Sequence, residues 1–214
     1  IRPTFEGGKR IAYGARAINE GGLQSVPRLA FPGGALIGCA AGFVNLPRIK
    51  GTHNAMKTAM LAAETAFTAL GENRSHDELS AYDDAWKKSW VYEDLYKVRN
   101  VKPGLRFGLW AGTLHGGMHM WLNDLGLGAL VPWTMRHRHA DHETLRPAAE
   151  MPRIAYPRHD GTITFDRMSS VFVSNTNHEE NQPVHLRLRN PSIPVDVNLR
   201  VYDGPEARYC PAGV

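Results

Sequence analysis

The sequence predicts a mixed fold, α/β or α+β, and three observations carry that expectation. The first is a strand, loop and helix between Phe31 and Leu70. There Ala35, Leu36 and Ile37 form an apolar run too short for a helix and bounded by Gly33-Gly34 and Gly38, the pattern of a buried parallel strand. The second is a change after Leu145 to proline and short β-like runs, at Thr162 to Phe165, Val171 to Val173, Val184 to Leu188 and Leu199 to Tyr202, which reads as a separate, smaller unit. The third is the stretch from Leu105 to Trp133, rich in Leu, Gly, Met and Trp, with Trp110, Trp121 and Trp133 among the chain's five tryptophans.

In chain order, the alternation of Ile11 and Tyr13 within Arg10 to Ala17 suits a strand, Asn19 to Gly22 a turn, and Pro27 to Phe31 a second extended segment. Gly38, Gly42 and Gly51 then give the chain freedom to take positive φ or to approach a ligand closely. A helix follows, with Thr52 as N-cap, Met56, Met60, Ala63, Phe67 and Leu70 as its buried stripe, and Gly71 at its end. Such a helix N-terminus, aimed out of a parallel sheet, offers N–H donors and partial positive charge to a ligand, though any α/β domain contains strand-loop-helix units without one.

Ser75 to Glu78 resembles the start of another helix, whose buried side is Leu79, Tyr82, Trp86, Trp90 and Leu95; the aromatic spacing is that of core packing rather than of a cofactor box. Leu105 to Trp133 is interrupted by His115, His119, Asn123 and Asp124 before a spanning length accumulates. It suits either an interfacial segment, since indoles favour the headgroup boundary and Arg136 and Arg138 follow, or a glycine-rich core helix pair. The histidines at 115, 119, 137, 139 and 142 are expected to be solvated or headgroup-facing rather than zinc ligands, since Gly116-Gly117 argues against a helical histidine pair.

At 214 residues, 43% hydrophobic and 21% charged, the chain is long enough for one sizeable core or two small ones. The formal charge of +4 is spread along the chain and no nucleic-acid motif accompanies it, so no nucleic-acid role is expected. Two cysteines, Cys39 and Cys210, make no disulfide framework and favour a reducing compartment. No credible Ser-His-Asp or paired-carboxylate constellation appears, and His178-Glu179 in the polar loop 175–182 lacks a partner for acid-base work.

The residues GCAAGFVNLPRIKGTHNAM closely resemble the late flavin-binding segment of the electron-transfer flavoprotein:ubiquinone oxidoreductase family. The likeness runs from IRPTFEGGKRIAYGARAINEGG at the start to YDGPEARYCPAGV at the end, essentially the whole chain. It implies a membrane-associated FAD enzyme that also holds a 4Fe-4S cluster and passes electrons from electron-transfer flavoprotein to ubiquinone. The resemblance also implies a place on a bacterial inner membrane's cytoplasmic face or the matrix face of the mitochondrial one. By the same resemblance, residues 1–103 are the C-terminal part of the FAD-binding domain of a two-domain flavoprotein, 104–144 a membrane-associated segment, and 145–214 the truncated start of a ferredoxin-like iron-sulfur domain. No G-x-G-x-x-G fingerprint occurs, so an internal piece of a longer protein is expected.

The implied FAD-binding residues are Gly38, Cys39, Ala40, Gly42, Gly51, Thr52 and Asn54. Thr52 and Asn54 fall beside the isoalloxazine ring. Related flavoproteins usually have Gly-Asp where this chain has Gly38-Cys39, so the ribityl contact passes to other groups, such as the backbone N–H of Cys39 and Ala40. Cys210, in a Cys-Pro pair after the Gly204-Pro205 turn, is the implied first cluster ligand, the others lying beyond Val214. The alternatives are a related membrane flavoprotein with another electron donor or acceptor, and a non-catalytic membrane-surface module bound through Leu105 to Trp133.

Overall fold

The computed structural model describes residues 1–14, 17–183 and 187–210. The chain forms two compact units, Ala17–Arg138 and a second made of Ile1–Arg16 with His139–Val214. Helix dominates, and the described strands amount to a single two-stranded ladder.

In the first unit, β1 (Ala30–Phe31) pairs antiparallel with β2 (Gly34–Ala35), Ala30 opposite Ala35, with Gly33 in the left-handed region at the turn. This corrects the parallel-strand expectation for Ala35 to Ile37. The backbone there bonds to its own hairpin partner, Leu36 donating to the Leu29 carbonyl at 2.8 Å, and the Tyr82 hydroxyl donates to the Leu36 carbonyl at 3.1 Å. A short apolar run between glycines fits a hairpin arm as well as a parallel strand; only the pairing partner separates them.

Helix α1 (Thr52–Gly71) ends where expected, but Gly51 rather than Thr52 is its N-cap, and no side chain caps it. Its orientation is also the reverse of the expected one. Asn54, Thr58 and Ala69 are buried, with Leu61 and Ala62 packed against the core, while Met56, Met60, Ala63, Phe67 and Leu70 face outward. The inner face is small and hydroxyl-bearing because it must lie close to the glycine loop, and Thr58 Oγ1 accepts the Gly38 N–H at 3.1 Å.

Helix α2 (Ser80–Lys87) begins five residues after Ser75, with Leu79 as its N-cap, and the chain breaks before α3 (Trp90–Val98). Ser89 starts α3 anew by accepting the Val91 N–H with its hydroxyl. The break advances the helical phase, so Val91 takes the buried place expected of Trp90, which is exposed, while Tyr82, Trp86 and Leu95 are buried as expected. These residues join Leu29, Ala41, Phe43 and Val91 in one core, Phe43 meeting Trp86 edge-on at 5.1 Å.

After a helical turn at Val101–Gly104 comes α4 (Leu109–Asp124). Its glycines permit a close crossing: a Cβ on Gly112 would stand 2.7 Å from Leu105 Cα, and one on Gly116 3.3 Å from Val101. The histidine pair is therefore helical after all, since these glycines face the 101–105 backbone instead of loosening the helix. His115 and His119 lie with ring centroids 6.4 Å apart. His119 is buried, and Asn100 Nδ2 donates to its Nε2 at 3.1 Å, which corrects the solvated expectation for this residue. Burial, with the Arg99 charge second, holds its pKa below the ordinary histidine value.

Arg99 is buried without a carboxylate contact among the described residues. Its guanidinium lies 3.6 Å over the Tyr96 ring and donates to the carbonyls of Tyr96 (2.8 Å), Val131 (2.7 Å) and Trp133 (3.2 Å) and to Thr134 Oγ1 (3.0 Å). Five N–H donors in one plane suit this ring of acceptors, and together they fasten segment 131–134 to the end of α3.

The second unit buries little: among its described residues only Gly204 is buried. Its expected strands are otherwise. The backbone N–H groups of Thr162, Ile163 and Thr164 all donate to Asp160 Oδ1, which takes three of the run's four from any ladder, and these bonds hold the carboxyl well below the usual range. Val171 to Val173 lie within α5 (Arg167–Ser174), begun by Asp166, whose carboxylate accepts the Ser169 N–H at 2.8 Å. Leu199 to Tyr202 are helical, continuing a π-helical segment at Pro194–Leu199. No strand forms in the described part of Arg10 to Ala17, of which residues 15 and 16 lie outside the described residues; of Val184 to Leu188, residues 184 to 186 do.

Candidate functional site

The glycine loop and the start of α1 fold onto each other. A 3-10 turn at Gly38–Ala41 opens with Gly38 at φ +54° and closes with Gly42 at φ +79°. Gly38 must lack a side chain for a second reason: a Cβ there would sit 2.8 Å from Ala55 Cβ. The Phe43 N–H returns to the Gly38 carbonyl at 3.2 Å, and Asn45 and Lys50 then pair across 46–49 to bring the chain back to Gly51. A Cβ on Gly51 would lie 3.2 Å from Val44 Cγ2 and 3.5 Å from Cys39 Sγ, which measures how closely turn and helix start approach.

Seven of the eight expected residues are thus gathered here. Ala40 and Thr52 are exposed, Cys39 and Gly51 half-buried, and Gly38, Gly42 and Asn54 buried. With no capping side chain on Gly51, the first-turn N–H groups of α1 are left as donors beside the exposed Ala40 and Thr52.

The Asn54 amide nitrogen reaches a polar cluster that sequence reasoning missed. Asp94 of α3 accepts from Asn45 Nδ2 at 3.0 Å, from Arg48 Nη1 at 3.3 Å and from Asn54 Nδ2 at 3.5 Å, with His53 Nε2 3.6 Å away. The His53 ring lies parallel to Trp90 at 5.7 Å. Asn54 Oδ1 is buried and has no protein partner. The one signal available in sequence was Asn45, a polar residue inside the apolar run GFVNLP.

These features fit a flavin: uncapped backbone donors suit its electron-rich atoms, glycines allow close approach, and an orphaned acceptor awaits a donor. Cys210, in the second unit, is half-buried just after the 3-10 turn Pro205–Arg208. No group of three or more His, Cys, Asp or Glu placed to hold a metal ion occurs among the described residues. A four-iron cluster needs more thiolates than this chain's two cysteines provide.

A third feature is the outer face of α4. Trp110, Leu114, Met118, Trp121 and Leu125 recur every three or four residues and are exposed, whereas Gly112, Gly116 and His119 face inward. No helix among the described residues is long and apolar enough to cross a membrane.

Residues 161–214 match the family model described as "Electron transfer flavoprotein-ubiquinone oxidoreductase, 4Fe-4S". The human mitochondrial electron transfer flavoprotein-ubiquinone oxidoreductase is 52% identical over 221 residues, covering 100% of this chain and 35% of that protein. The Pseudomonas aeruginosa protein of the same name is 49% identical, with 100% and 38% covered. That of Dictyostelium discoideum is 47% identical, with 100% and 37% covered. The chain spans little more than a third of the length of the relatives it matches.

Proposed function

Since the chain belongs to the electron transfer flavoprotein-ubiquinone oxidoreductase family, we propose that it is part of a membrane-associated oxidoreductase that takes electrons from reduced electron-transfer flavoprotein and delivers them to ubiquinone. FAD and a 4Fe-4S cluster are the electron carriers of this reading. The observation that carries it is the identity over the whole chain, which includes the glycine loop as well as the segment around Cys210. The chain supplies the late flavin-binding portion within 1–103, a membrane-associated segment within 104–144 and the start of the iron-sulfur domain within 145–214.

Flavin supplies reversible electron transfer when bound; the residues here hold and tune it. Gly38, Gly42 and Gly51 let the backbone approach, the N–H groups of Cys39, Ala40 and the first turn of α1 donate, and Thr52 and Asn54 adjust the potential by hydrogen bonding. Cys210 contributes one cluster thiolate, and the remaining ligands come from residues outside this chain. The stripe on α4, followed by Arg136 and Arg138, lies on the lipid headgroups without crossing them, at the inner mitochondrial membrane or its bacterial counterpart.

The test is visible absorption of the purified full-length protein: flavin bands are expected, and a colourless folded protein would leave only a membrane-surface module, the second reading, which the exposed α4 stripe favours. Redox titration of Thr52→Ala and Asn54→Ala should show retained FAD with potentials displaced by about 1 kcal/mol per lost hydrogen bond; two unchanged potentials remove these residues from the flavin's surroundings. Iron and acid-labile sulfide analysis with low-temperature electron paramagnetic resonance should show the cluster weakened or lost in Cys210→Ala.

A further inference from the structure

Asp94 of α3 is bonded both by the loop 45–50, through Asn45 and Arg48, and by the first turn of α1, through Asn54. A carboxylate can only accept hydrogen bonds, so the end of the Asn54 amide that faces it must be the NH2 group. The carbonyl end is thereby turned away from Asp94, and that oxygen is buried and unpartnered. A buried acceptor left without a donor is costly, and such atoms mark places where a partner is missing. Asn45, which donates to the same carboxylate oxygen at 3.0 Å, and Arg48, on the other oxygen at 3.3 Å, help to hold Asp94 toward Asn54.

We propose that Asp94 is a positioning residue for the flavin: by fixing the amide of Asn54 it makes that side chain present an acceptor, and so sets the flavin's reduction potential without touching the flavin. This rests on the flavin reading of the loop. An asparagine at 94 could either donate or accept, so in Asp94→Asn the Asn54 amide would no longer be held one way round.

The experiment is a mutant cycle in the full-length protein, reading flavin absorbance per protein and the flavin midpoint potential, with Asp94→Asn made on the native background and on Asn54→Thr. Expected is full flavin content throughout, a clear displacement of the potential by Asp94→Asn when Asn54 is present, and none when Thr replaces it. A displacement of equal size on both backgrounds is a through-space effect of the lost charge and overturns the proposal, as does an unmoved potential in Asp94→Asn while Asn54→Thr moves it. If neither Thr52→Ala nor Asn54→Thr moves the potential, the flavin reading of the loop itself fails, a result distinct from the other two. Should Asp94→Asn not retain flavin, the same cycle run with Asp94→Ser decides by the same criterion.

Discussion

Helices α1 and α4 each turn an apolar stripe outward, and the two stripes differ in kind. On α1 the large residues Met56, Met60, Phe67 and Leu70 alternate with Ala59, Ala63 and Ala66, beside a shallow hollow of about 460 Å³ floored by Gly33, Gly34, Ala35 and the alanines. Large side chains set among small ones make the relief that another protein surface packs into. On α4 the stripe carries Trp110 and Trp121, and Arg136 and Arg138 follow. Indoles with nearby cations suit the wet, disordered headgroup layer, which needs no shape match. Exposure is alike, at 81% for Phe67 and 84% for Trp110, so chemistry, not accessibility, distinguishes the two stripes.

The contrast can be broken first at α4. Trp110→Glu with Trp121→Glu in the full-length protein should reduce flotation with anionic liposomes a hundredfold or more, at roughly 2 kcal/mol for each large apolar side chain withdrawn. Wild-type flotation of this pair would end the distinction. The inner face of the same helix answers to a different measurement. Gly112→Ala places its Cβ against backbone atoms of Leu105 and Gly104 that have little room to yield, and should cost about 1–3 kcal/mol in urea unfolding.

A smaller effect follows from His119. Its pKa is depressed in the folded state, so below about pH 6.5 the unfolded chain binds a proton that the folded chain does not. Stability is therefore complete above that pH and declines on acidification, by at most about 1.4 kcal/mol per pH unit. The urea midpoint should fall from pH 7.5 to 5.5, and less steeply in His119→Gln. The smallest effect sharpens the comparison from the other side: Phe67→Glu on α1 should leave flotation unchanged, and a loss matching the α4 pair would make the two stripes equivalent.

How far these features could be read in advance depends on what fixed each of them. The extent of α1 was legible, because glycines bound it and its helical period is regular. Its orientation was not, since the side carrying the largest apolar residues is free here and the side carrying Asn54, Thr58 and Ala69 is buried. Hydrophobic period measures fitness for burial, not which partner is present. The break at Ser89 was hidden because a serine within an aromatic run signals a cap only once the neighbouring phase is known. Strand readings of Thr162 to Phe165 and Val171 to Val173 failed where aspartates at 160 and 166 captured the backbone N–H groups. At the site, the glycines and the helix start announced themselves. Asp94, 40 residues from Asn54, could be placed beside it only by tertiary structure.

Helix α3 carries Asp94 on one turn and leads into Arg99 at its end. The first holds the start of α1; the second holds the segment that leaves α4. At about 1.5 Å of rise per residue the two attachments lie roughly 7.5 Å apart along a single hydrogen-bonded rod. A rod that short neither bends nor stretches appreciably, so a tilt imposed on the segment that leaves α4 reaches the glycine loop as a tilt. In mechanical terms α3 is a linkage arm: it keeps the glycine loop and the segment that leaves α4 in one frame of reference.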